Sequence, residues 1–202
     1  MKTLTELFIE VAYKGDWQTI NSVDYKFIEH GDTLEIYFMG SYQFSDWWFN
    51  FDFKEKVYNQ FKVHRGFLRC YNQVRSIILD KIYSRNYKSV IVVGYSHGSA
   101  LCTLAIEDIK YHFPNIYLKG YAFESPRCVK VPKELRYKWN DLVVIRNGTD
   151  LVTHLPPKLF GYDDVGTMLN IKGDTKLIDK WYLPKCIKYH FQQCVLDGLN
   201  KL

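Results

Sequence analysis

The chain has 202 residues, 47% of them hydrophobic and 24% charged, a balance that suits one globular domain over residues 1–202 with a core of ordinary size. Net charge is +5 and spread along the chain; no run of five or six basic residues appears, so no nucleic-acid arm is indicated, and the excess implies at most a weak bias toward anionic lipid surfaces. No segment approaches the apolar length of a membrane span, and no feature of the sequence speaks to oligomeric state.

The N-terminal stretch places Leu4, Leu7, Phe8 and Val11 at helical spacing, and Glu6 and Glu10 interrupt it, unlike the apolar run of a secretory signal. Val23 to Glu29 is β-rich, His30-Gly31-Asp32 reads as a hairpin turn, and Leu34 to Met39 reads as the partner strand. Gly66 to Tyr83 has helical periodicity through Leu68, Val74, Ile77, Ile78 and Ile82. Ser89 to Val93 is an apolar, β-branched run that suits a central strand covered on both faces. Gly98 to Ile109 is helical, Ile116 to Phe123 strand-like, and Leu142 to Arg146 another buried strand. A helix from about Leu183 to Leu199 is expected to close the chain. Alternating strands and helices in this order predict an α/β fold with a mostly parallel central sheet and helices on both faces. Five cysteines, Cys70, Cys102, Cys128, Cys186 and Cys194, show neither a CxxC pair nor a metal-ligand pattern. Free thiols and the lack of a signal-like start lead to the expectation of a cytoplasmic protein.

Gly94-Tyr95-Ser96-His97-Gly98 matches G-x-S-x-G between the strand SVIVV and the helix that follows. A strand-turn-helix setting is what this motif requires: the tight turn lifts a serine Oγ clear of the sheet, and the two glycines remove Cβ atoms that would collide. Ser96 is therefore the candidate nucleophile. The residue after it, His97, would offer its backbone N–H to an oxyanion at a helix N-terminus. Such chemistry needs an acid and then a histidine later in the chain. Asp150 follows the strand LVVIR on the edge where Ser96 emerges; Asp141, Asp163 and Asp164 are weaker competitors. Only His154 and His190 lie beyond Asp150, and His154, within the Leu-Pro-Pro block, reads as a packing residue. Tyr95, inside the elbow, is expected to pack under the site. No metal cluster, phosphate loop or dinucleotide fingerprint is present, so no metal or other cofactor is expected.

Six blocks in order resemble the class 3 lipase family, which includes the small fungal triacylglycerol lipases. They are Phe38-Met39-Gly40-Ser41, Asp46 to Phe51 (DWWFNF), Val63-His64-Arg65-Gly66-Phe67, the elbow, Ser125-Pro126-Arg127, and Asn147 to Pro157 (NGTDLVTHLPP). The resemblance runs from about Thr33 to His190. Met39 replaces the family's usual Arg, Glu124 stands where Gly is common, and Leu151 where Pro often follows the acid. The resemblance implies an α/β-hydrolase fold, supports Asp150 as the acid, and selects His190, at the start of the final helix, as the base. It also implies Ser41 as the second oxyanion donor, and places Trp48 and Phe49 where some relatives carry a lid, as candidate pocket residues together with Tyr95. The implied activity is a serine carboxylic-ester hydrolase: a lipase or esterase, with phospholipase A1 and monoacylglycerol lipase among the candidates, acting on a small-molecule or lipid ester. The rivals are a non-catalytic lipase-like binding module and a hydrolase of a thioester, lactone or amide.

Overall fold

The computed structural model describes residues 2–40 and 54–202. Ser41, Trp48 and Phe49 lie outside the described residues. The chain opens with helix α1 (Leu4–Ala12), started by a capping box in which Thr3 and Glu6 satisfy each other's backbone N–H groups. Strands β1 (Gln18–Ile20), β2 (Val23–His30) and β3 (Thr33–Phe38) follow, all antiparallel neighbours. Gly31 and Asp32 make the two-residue turn between β2 and β3, with Gly31 at φ +58°. A small second sheet is formed by β4 (Glu55–Tyr58), β5 (Phe61–His64) and β8 (Val129–Lys130). His64 caps the long helix α2 (Arg65–Arg85) by accepting the Phe67 N–H. Next come β6 (Ser89–Tyr95), helix α3 (His97–His112), β7 (Tyr117–Phe123), β9 (Leu142–Asn147) and β10 (Thr167–Ile171).

The main sheet has the order β1-β2-β3-β6-β7-β9-β10, and every pair from β3 to β10 is parallel. Side chains alternate between its two faces, as the pleat requires. Leu34, Ile36 and Phe38 of β3 and Val90 and Val92 of β6 pack in a core with α2 and α3. Tyr37, Ile91, Val93 and Tyr95 pack on the opposite face with Leu7, Phe8 and Val11 of α1 and with Val195 and Leu199 near the C-terminus. Every residue of α3 from Gly98 to Ile109 is buried, so this helix is enclosed on all sides rather than amphipathic. The α/β class, the parallel sheet and the two helical layers agree with the sequence expectation.

One expected element differs. The final helix is not continuous: α4 (Lys185–Lys188) and α5 (Gln192–Leu199) are separated by a break holding Tyr189, His190 and Phe191. The reason is tertiary. The Asn147 side-chain amide donates to the Tyr189 carbonyl at 2.8 Å, and the Tyr95 hydroxyl donates to the His190 carbonyl at 2.5 Å. These carbonyls find partners outside any helix, so the ladder stops there. His190 thus sits before α5 rather than on a continuous helix. The short edge strand β10 and the small sheet also go beyond the sequence reading.

The loops at the carboxyl edge of the sheet are pinned by one acid. Asp164 accepts from Arg127 Nε at 2.8 Å, pairs with Lys158 at 2.7 Å and is bridged by Arg146. Arg127 also donates to the His154 carbonyl at 2.5 Å, while the His154 ring is exposed and does not pack as expected. The other competing acids are similarly occupied, Asp163 with Arg136 and Asp141 with Lys119.

Two stability predictions follow from these contacts. A Cβ on Gly98 would lie 2.2 Å from the Phe38 carbonyl oxygen, whereas a Cβ on Gly15 would meet nothing within 4 Å. Urea unfolding of Gly98→Ala is expected to show a loss of about 2–3 kcal/mol, and Gly15→Ala a change within about 0.5 kcal/mol. Burial alone would raise the Asp164 carboxyl, but Arg146, Lys158 and Arg127 outweigh it and hold the group well below the usual range. Such a group stabilises the fold above the ordinary carboxylate pKa and loses that contribution as pH falls toward its folded value. Asp164→Asn is therefore expected to lower Tm at pH 7 by roughly 3–6 °C. Thermal scans should show that gap closing between about pH 4 and pH 2.

Candidate active site

Ser96 occupies the turn between β6 and α3 with φ +53° and ψ −120°, in a region that L-residues rarely adopt. Packing over-determines this conformation. A Cβ on Gly94 would lie 2.3 Å from the Gly98 carbonyl oxygen, so strand and helix approach too closely for any side chain there. The Ser96 N–H is held by the Phe123 carbonyl at 2.9 Å, and its carbonyl accepts the Ser99 N–H at 2.9 Å. The Oγ therefore points from a fixed backbone.

Asp150 follows β9 through Asn147-Gly148-Thr149, where Gly148 takes φ +54° and lies against the Tyr189 ring. Asp150 is 1% exposed, and its Oδ1 accepts the Val152 N–H at 3.0 Å. Its Oδ2 lies 2.6 Å from His190 Nδ1, and His190 Nε2 lies 2.8 Å from Ser96 Oγ. An ionised Asp150 can only accept, so Nδ1 carries the proton and Nε2 is left to accept from the Ser96 hydroxyl. Residues 96, 150 and 190 are thus joined in one hydrogen-bonded line from three separate places in the chain. Each is buried, at 5%, 1% and 7% exposure respectively.

The His190 ring is positioned from beneath by Tyr95. Its ring stacks on the His190 ring at 5.6 Å with an 18° interplanar angle, and its hydroxyl is the donor to the His190 carbonyl. The opposite side of Tyr95 meets Phe8 edge-on at 5.5 Å. Tyr95 therefore lies between the α1 layer and the imidazole. Asn147 links the loop of Asp150 to the segment of His190: its amide nitrogen donates to the Tyr189 carbonyl and its amide oxygen accepts the Gly173 N–H at 2.7 Å. The sequence reading assigned Asn147 no role, although it begins the block that contains Asp150.

His97 opens α3, and its N–H lies in the first turn of the helix directly after Ser96. Its ring turns inward instead. Burial, with a contribution from His64, pushes the imidazole down to about 4, and the ring packs on Phe67 at 5.5 Å. Gly40, the residue before Ser41, lies against Ser96: a Cβ on it would stand 3.3 Å from Ser96 Cβ.

Among the described residues, one group with metal-ligand spacing occurs, Glu124, Asp150 and His190, and both nitrogens of His190 already face protein partners. An open cavity of about 630 Å³ lies at the amino ends of β6 and β7, on the sheet edge away from Ser96.

This geometry has parallels in known proteins. The model of class 3 lipases matches residues 36–160. A lipase of Rhizomucor miehei is 30% identical over 166 residues, which cover 74% of this chain and 46% of that protein. A secreted mono- and diacylglycerol lipase of Malassezia globosa is 29% identical over 111 residues, 50% of this chain and 36% of its own. The chain spans less than half the length of these relatives. Among solved structures, a triacylglycerol lipase whose catalytic centre is a serine protease triad aligns with a TM-score of 0.68 at 26% identity, over 80% of this chain and 66% of that one. A fungal lipase aligns with a TM-score of 0.72 at 20% identity, over 90% of this chain and 78% of that one, a likeness of fold. With its α/β-hydrolase-like sheet and a family match over more than half its length, the chain belongs to the class 3 lipase family.

Proposed function

We propose that the protein is a serine carboxylic-ester hydrolase, with Ser96 as nucleophile, His190 as general base and Asp150 as the acid that orients it. The observation that carries this reading is the line of two short contacts, 2.6 Å from Asp150 to His190 and 2.8 Å from His190 to Ser96. In the proposed reaction, Ser96 Oγ attacks the ester carbonyl while its proton passes to His190 Nε2. The oxyanion is held by the backbone N–H of His97 and, by family likeness, by Ser41. The imidazolium then protonates the departing alcohol, leaving an acyl-enzyme. Water, deprotonated by His190, attacks the acyl carbonyl, and the carboxylic acid leaves as Ser96 recovers its proton. Asp150 stabilises the imidazolium throughout.

The substrate class we propose is an ester with an apolar acyl chain. The support is the naming of the relatives as lipases, including mono- and diacylglycerol lipases. Trp48 and Phe49 remain candidate acyl-pocket or surface-contact residues by family position. Comparing nitrophenyl esters and acylglycerols of short and long chain, with and without micelles, tests this choice; turnover confined to thioesters, lactones or amides would overturn it.

Two features bear on where the protein works. All five cysteines are free, which suits a reducing compartment. The Malassezia relatives are named as secreted, which argues for the outside of the cell. Among the described residues no helix is long and apolar enough to cross a membrane. Fractionating the cells that produce the protein, alongside their medium, distinguishes the two locations.

The reading makes kinetic predictions. With nitrophenyl butyrate, Ser96→Ala is expected to lose at least about 10³-fold in kcat and all labelling by a fluorophosphonate probe. Parent protein that neither turns over ester nor labels would instead support a lipase-like binding module. Tyr95→Phe removes the donor to the His190 carbonyl. It is expected to lower kcat roughly 3–10-fold with little change in KM, and to cost about 1–2 kcal/mol of stability in urea.

A further inference from the structure

Glu124 directly follows β7, beside the proposed triad, and is unused by the reaction above. Its φ of +54° lies in the left-handed region that favours glycine, and its side chain is fully buried. The groups that face it are the Asp150 carboxylate from the loop after β9, the Asn147 backbone N–H, the Cys194 thiol of α5 and the Tyr95 ring of β6. None makes an ordinary hydrogen bond to either Glu124 oxygen. A Glu124 oxygen, an Asp150 oxygen and a His190 nitrogen all lie within 4.8 Å of one another.

Two carboxyls this close in a dry site cannot both ionise without strong repulsion. Asp150 has what an anion needs, the Val152 N–H and the His190 Nδ1–H. Glu124 faces only the Asn147 N–H, without an ordinary hydrogen bond to it and with no cation beside it, so the shared proton belongs on Glu124. A carboxylic acid there gains the O–H donor that an ionised one lacks, and the acceptor it faces is Asp150.

We propose that Glu124 is a positioning residue for the triad, a carboxylic acid whose O–H donates to the Asp150 carboxylate and holds it against His190. The proposal rests on the reading of Asp150 as the triad acid. Burial, followed by the Asp150 charge, pushes the Glu124 carboxyl well above the ordinary carboxylate range, in agreement with the hydrogen-bond pattern. A group raised in this way stabilises the fold below its unfolded pKa, and that contribution is lost as pH rises through the folded value.

The test compares the parent with Glu124→Gln and Glu124→Gly between pH 5 and pH 9, by nitrophenyl butyrate kinetics and by thermal unfolding. Glycine relieves the backbone and removes the donor; glutamine keeps a neutral donor. Glu124→Gly is expected to lose roughly tenfold in kcat with KM little changed, and Glu124→Gln to recover most of that loss. The parent should lose kcat on the alkaline side as Glu124 ionises, and Glu124→Gln should not. The Tm of Glu124→Gln should gain on that of the parent as pH rises. Equal loss in both variants overturns the proposal. So does a shift of the acid limb of kcat/KM to lower pH by about one unit in Glu124→Gln, which would mark a charged Glu124 acting on His190. A parent with no turnover and no probe labelling sinks the hydrolase reading instead. In that case a Glu124→Gln Tm that gains on the parent's as pH rises still supports the Glu124–Asp150 hydrogen bond, and a constant difference overturns it.

Discussion

Helix α3 begins closer to the sheet than any side chain permits, and the rest of the site depends on that approach. Gly94 and Gly98 each sit where a Cβ would overlap backbone, Gly94 against the helix and Gly98 against the end of β3. With both Cβ atoms absent, the first turn of α3 presses on β3 and β6 together, and Ser96 is left in a conformation it would not choose alone. The first turn of the helix thus begins directly at Ser96, whose carbonyl accepts the Ser99 N–H. The helix that follows Ser96 is buried from Gly98 to Ile109, so it is packed on all sides.

Around this fixed point the other polar groups are arranged by ordinary requirements of burial. Asp150 is tolerated in a dry setting because it accepts a backbone N–H and the imidazole. Tyr95 and Asn147 satisfy the two carbonyls that open when the chain bends at Tyr189 and His190. Asp164 draws Arg127, Arg146 and Lys158 together, and so ties the loop after β7 to the loop that follows Asp150.

Much of this could be read from the residues. The apolar run before Gly94 and the helix after Gly98 identify the elbow without coordinates, because sterics at a strand-to-helix turn admit few solutions. Asp150 follows from its place after a buried strand. The break in the last helix could not be read, since residues 185–199 keep a helix-compatible pattern and the donors that interrupt it come from Tyr95 and Asn147, far off in the chain. Strand β10 is an edge strand with mixed exposure and carries little alternation. Glu124 stands out in the sequence only as a departure from the family's Gly, and its burial is not legible there: a glutamate between Phe123 and Ser125 looks like a surface residue until the fold encloses it. Selecting His190 over His154 needed family resemblance, as periodicity alone treats both as late histidines.

Ser96 and Asp150 follow strand ends directly, whereas His190 hangs on a bent segment fastened by single hydrogen bonds and one stacked ring. The residues that fasten it, Tyr95 at the end of β6 and Asn147 at the end of β9, belong to the same sheet edge that carries Ser96 and precedes Asp150. The position of the imidazole is therefore set by the spacing of two strands rather than by the helix that follows it.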